Sequence, residues 1–199
     1  MPMPFSSPLK AAALAVLALC TALPAAAETV KIAFIDVLSG PFARAGEGSL
    51  AQLREVVSQI NAKAATNDVK FEVVPFDGKG TPQESVTVLK AATDQGIRYI
   101  TQGGGSGVAF ALSEAVTKLA EREPDKATLF LNYSAMDPGL TNDRCSFWHF
   151  RFYPSSEMKI EALTTYLKTR QDVKKLFLLN QNCTHGQQVS KAAREYLGR

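Results

Sequence analysis

Runs rich in β-branched and aromatic residues alternate with runs of helical period along almost the whole chain, and no other feature narrows its fold as far. Residues 30–37 (VKIAFIDV), 69–76 (VKFEVVPF), 96–102 (GIRYITQ), 126–133 (KATLFLNY) and 173–180 (VKKLFLLN) read as strands. Between the first two, Leu50, Leu53, Val56, Val57 and Ile60 recur at helical spacing. Val86, Leu89 and Ala92 do so after the second, behind a capping box made by Thr81 and Glu84 with Pro82 at the first helical position. Val108, Leu112, Ala115, Val116 and Leu119 line a third helix, and residues 155–169 and 187–198 read as two more. Strands and helices that alternate over short links predict an α/β fold with parallel strands and crossover helices. One stretch, 137–156, breaks the pattern. Its FWHFRFY is strand-like and reads as a crossing between two lobes.

The start of the chain does not belong to that fold. Lys10 precedes an almost wholly apolar run over residues 11–23, Pro24 ends it, and Ala25 to Ala27 offers an A-x-A site. This pattern predicts a secretory signal peptide over residues 1–27, cleaved before Glu28. The apolar run is short for a membrane span. Leu17-Ala18-Leu19-Cys20 resembles a lipobox, but Leu19 stands where a small residue normally precedes the lipidated cysteine. No later segment is apolar enough to cross a membrane, so the mature protein is expected to be soluble outside the cytoplasm. The formal net charge of +3 includes Lys10. So small a charge is no footprint for nucleic acid or an anionic membrane. Cys145 and Cys183 remain in the mature chain. Export would allow them to pair, and their spacing does not decide whether they do.

Motifs for known chemistries fail. The glycine cluster QGGGSGVAF has Val108 where a dinucleotide loop wants glycine, and no G-x-x-x-x-G-K-[ST] occurs. Val108 also breaks a nucleophile elbow around Ser106. His149 and His185 have no metal spacing with each other or with cysteine. No pair of carboxylates stands out for acid–base work. Neither cofactor, metal nor enzymatic activity is therefore expected.

What remains is position. Ser39-Gly40-Pro41 follows the first strand, Gly103 to Gly107 the third, Tyr133-Ser134-Ala135 the fourth and NQNCTHG the fifth. Parallel strands carry such turns to one edge, where glycine lets a ligand approach the backbone. Helix starts there favour an anion such as a carboxylate. Glycine and serine also make turns with no ligand at all, but four such turns in an exported α/β chain favour a binding cleft.

On these residues the chain resembles the type I periplasmic binding proteins, specifically the branched-chain amino-acid receptors of ABC transporters, which are leucine-binding-protein-like. The resemblance runs from about Val30 to Gly198. It rests on KIAFIDVLSGPFARAGEG, FDGKGTPQESVTVLKAATDQGIRYITQGGGSG, NYSAMDPGLT, and FRFYPSSEMKIEALTTYL before LFLLNQNCTHGQ. It implies two Rossmann-like parallel-sheet lobes joined by crossing strands, closing over a small ligand for recognition by a membrane permease. Residues 28–147 would be the first lobe, largely present, and 148–199 the hinge crossing and an incomplete second lobe. A chain this short is expected to be a fragment or truncated product that binds its ligand weakly or not at all.

The resemblance also nominates contacts. Gly105, Ser106 and Gly107 match the turn that meets a ligand α-carboxylate. Ser134, Ala135 and Met136 match the next turn, although Met136 stands where the family often has threonine and cannot donate a hydroxyl bond. Ser39 belongs to the first-strand turn. Ala45 stands where an aromatic residue often lines the pocket. His185 stands where the second lobe usually offers tyrosine. The implied function is delivery of an amino acid, possibly branched-chain, or a related small polar solute from the periplasm to an ABC permease. Two alternatives stay open: a sensing module for amides or amino acids on the same fold, and an exported α/β hydrolase using Ser106 and His185.

Overall fold

The computed structural model describes residues 28–63 and 69–198. The expected signal peptide over 1–27, Cys20 included, lies outside them. β1 (Glu28–Asp36), β2 (Val69–Asp77), β3 (Tyr99–Gln102), β4 (Leu129–Asn132) and β5 (His149–Arg151) form one sheet in the order β2-β1-β3-β4-β5. Every neighbouring pair is parallel. Helices α1 (Ala43–Ala62), α2 (Pro82–Asp94) and α3 (Ser106–Arg122) link successive strands, and α4 (Ser156–Thr169) and α5 (Thr184–Gly198) follow β5. β1 lies between β2 and β3 and is buried from Ala33 to Asp36. Parallel strands covered on both faces need such an unbroken run.

Register sorts the side chains into two faces. Ala33, Ile100, Phe130 and His149 stand in one row across four strands. They join Leu89 and Ala92 of α2 and Val108, Leu112 and Val116 of α3 in the main core, where the Phe130 and His149 rings pack 4.9 Å apart. The next row, Phe34, Thr101, Leu131 and Phe150, points to the other face. There Phe34 is buried against the Tyr133 ring, while Phe150 on the edge strand is exposed.

Local chemistry sets the helix starts. Thr81 Oγ1 accepts a hydrogen bond from Glu84 N at 3.3 Å with Pro82 opening α2, and Ser155 Oγ accepts from Met158 N at 3.2 Å to open α4. Gly46 lets α1 settle against the end of β1, because a Cβ there would run into the Val37 carbonyl.

One expectation changes. Residues 173–180 form no strand. A strand exists through its ladder to a neighbour, and among the described residues none lies beside this run. Phe177 and Leu179 are exposed instead. FWHFRFY supplies the three residues of β5, which pair with β4 at the edge of this sheet.

Candidate functional site

All strand carboxyl ends meet at one edge of this sheet. The connection after β1 runs to β2 on one side, and the one after β3 runs to β4 on the other, so the crevice between β1 and β3 is the switch point where such sheets take ligands. A cavity of about 410 Å³ opens beside it. Gly105, Ser106 and Gly107 form one wall, Ser134, Ala135 and Met136 a second, and His185 with its neighbours at the start of α5 a third. Ser39 stands apart. It is exposed at the turn after β1, where it bonds the Asp77 carboxylate. Asp77 Oδ1 also accepts from Leu38 N and Lys79 N.

The α3 wall is a set of donors. Gly105 precedes the helix with φ +108°, a conformation that suits glycine. The first closing bond of the helix runs from Ala109 N to Gly105 O at 3.1 Å. The N–H groups of Ser106, Gly107 and Val108 therefore have no carbonyl to reach within α3. Ser106 is buried, and its hydroxyl takes no protein partner among the described residues. The positive end of the helix dipole adds to this local potential.

Asn132 at the end of β4 builds the second wall. Its Oδ1 accepts from Ser134 N at 3.1 Å and Ala135 N at 2.7 Å, and its Nδ2 donates to Ala135 O at 2.9 Å. With its oxygen committed, its amide donates its other hydrogen to His149 Nε2 at 3.2 Å. His149 must then carry its proton on Nδ1, which donates to Leu140 O at 3.1 Å. Burial holds the His149 pKa below its ordinary value. The Leu140 carbonyl opposes this, and the nearby Arg151 charge adds to it.

Asp36 escaped sequence reasoning. It is a buried carboxylate at the end of β1. Oδ1 accepts from Val37 N at 2.8 Å, and Oδ2 accepts from Gly103 N and Gly104 N, both at 3.2 Å, and from the Tyr133 hydroxyl at 2.5 Å. Burial, and then this bond to Asp36, push the Tyr133 phenol well above its ordinary pKa. The signal that could have found Asp36 is an acid closing the otherwise apolar run AFID. Gln102, next in the chain to this glycine turn, is also buried, and among the described residues neither end of its amide has a partner.

Ser106 and His185 share the cavity, but among the described residues no hydrogen bond joins them. Cys145 and Cys183 are both free and exposed. Among the described residues no group of three His, Cys, Asp or Glu side chains is placed to hold a metal ion, and no helix is long and apolar enough to cross a membrane.

Residues 29–199 match the sequence profile of the family described as periplasmic binding protein. The chain is 33% identical over 178 residues to Leu/Ile/Val-binding protein homolog 4 of Brucella abortus (strain 2308), covering 89% of this chain and 43% of that protein. It is 28% identical over 131 residues to the Leu/Ile/Val-binding protein of Escherichia coli (strain K12), covering 64% of this chain and 34% of that one. Among solved structures it resembles the closed conformation of the leucine-, isoleucine-, valine-, threonine- and alanine-binding protein from Brucella ovis. That match has a TM-score of 0.72 and 32% identity, over 85% of this chain and 44% of the other. The chain thus spans less than half the length of the relatives it matches.

Proposed function

Because the chain belongs to the periplasmic binding proteins, we propose that it carries one side of the ligand cleft of a receptor that delivers an amino acid or related small polar solute to an ABC permease. The observation that carries this reading is the α3 wall: three N–H groups without helical partners and a buried Ser106 hydroxyl around one cavity. Such an array suits a carboxylate. Ala135 and Met136 give the opposite wall an apolar surface for an aliphatic side chain. The names of the relatives, which bind leucine, isoleucine and valine, point to the same ligand class. In this reading residues 28–147 are the first lobe and 148–199 the crossing and start of the second, with β5 as the strand from which the chain leaves the first sheet. The site of action is the periplasm, reached through the signal peptide over 1–27.

The test is thermal-shift and calorimetric titration of the full-length protein with L-leucine, L-isoleucine, L-valine and L-alanine, and with leucinol, which lacks the carboxylate. The amino acids should raise the melting temperature and leucinol should not. An equal response to leucinol, or none to any amino acid, overturns the reading.

A further inference from the structure

We propose that Asp36 is a positioning residue for this site: its buried carboxylate holds the glycine turn so that the next three N–H groups and the Ser106 hydroxyl stay aimed at the cavity. The inference takes its ligand from the function proposed above, but its geometry stands apart from that reading.

One oxygen, Asp36 Oδ2, joins turns that follow two different strands, through Gly103 N and Gly104 N after β3 and the Tyr133 hydroxyl after β4. Oδ1 closes on Val37 N at the end of β1 itself. The three turns around the switch point are therefore tied at a single group. The glycines are part of the clamp. A Cβ on Gly103 would lie 2.5 Å from the Tyr133 ring, and one on Gly104 would strike the Asp36 carboxylate.

The donors divide cleanly along the turn. Gly103 and Gly104 are committed to the protein's own carboxylate, whereas Ser106, Gly107 and Val108 begin the helix with no such partner. The turn thus carries an internal anion beneath it and leaves its outer donors for an external one. Among the described residues Asp36 has no ion-pair partner. A buried carboxylate held only by neutral donors depends on every one of them. The raised pKa of Tyr133 keeps its phenol protonated, and so a donor, throughout the neutral range. Losing a donor should let the carboxylate seek water, and the glycine turn, which has no side chains to pack, should follow it.

The experiment compares the full-length wild type with Asp36→Asn and with Tyr133→Phe, the milder change, which keeps the Asp36 charge and its backbone donors. Amide hydrogen exchange is measured without ligand, and L-leucine affinity by calorimetry. We expect faster exchange at Gly103–Gly105, the turn amides that are hydrogen-bonded, in both variants with little change at Leu112–Ala120 of α3. L-leucine affinity should fall roughly tenfold, the scale of one lost hydrogen bond to a charged group. Unchanged exchange at Gly103–Gly105 in Tyr133→Phe overturns the proposal. So does acceleration spread evenly over the chain, which would make the clamp a general stabiliser. Unchanged affinity beside a loosened turn overturns it as well. Should the wild type ignore L-leucine, the proposed ligand falls and the exchange pattern alone decides whether Asp36 positions the turn.

Discussion

Ser106 concentrates the proposed chemistry in one side chain. It is buried, yet its hydroxyl bonds nothing within the described protein. Removing that hydroxyl breaks no hydrogen bond within the described protein, so Ser106→Ala should leave stability within about 0.5 kcal/mol of wild type. The same change should weaken amino-acid binding by about 1–3 kcal/mol, the cost of leaving a ligand carboxylate short of a donor. Calorimetry beside melting curves separates the two effects. His149 makes the opposite kind of residue, fully engaged and not among the residues that line the cavity. Its neutral ring accepts from Asn132 and donates to Leu140, so a second proton would face the Asn132 amide donor and the Arg151 charge. Its folded pKa lies below the 6.5 of a free imidazole. The unfolded chain therefore takes up the proton first as pH falls. Its contribution is fully present above about pH 6.5 and is lost below it. Urea unfolding from pH 7.5 to 5 should show this decline, and His149→Gln should flatten it.

At the scale of elements, two glycines two residues apart in α1 should respond with opposite sign. Gly46 faces the Val37 carbonyl, so Gly46→Ala should destabilise by about 1–3 kcal/mol. Gly48 has open space around its Cα, so Gly48→Ala should stabilise the helix by about 0.5–1 kcal/mol. Chemical denaturation of both variants checks the pair. The contrast also marks what sequence can reveal. Four of the strands and the helices between them were legible, because apolar period is local and survives in the folded chain. Ser106 and Ser134 could be placed at one edge because parallel strands leave their following turns no other place, whereas His185 reaches the cavity from the start of α5 with no strand directly before it. Asp36 was not legible as a clamp, since its partners in the turns after β3 and β4 are 67, 68 and 97 residues away in the chain. Residues 173–180 were misread for the complementary reason. Their β propensity is real, but a strand is a relation between two segments, and the second is not written in the first.

For the whole molecule, apolar exposure is uneven. Phe177 is 91% and Leu179 89% exposed, next to the partly exposed Leu176 and Leu178. A run of this kind presents open backbone and apolar surface together. The chain of 199 residues should therefore self-associate, and replacing Phe177 and Leu179 by lysine should shift it toward monomer in light scattering at matched concentration. Persistence of the same association in the double variant would place the sticky surface elsewhere, for instance at Phe150. The parallel sheet has a different consequence at the same scale. Its core sits along the strands and the inner helix faces, and of the residues around the cavity only Val108 and Ala135 belong to it. Exchanging Ser134 and Met136 for the residues of a relative that binds another ligand, with Ala135 kept, should therefore retune selectivity without disturbing the interior. On the proposed reading, a lineage built on this plan can change its ligand by drift at the sheet's rim, with its architecture held constant.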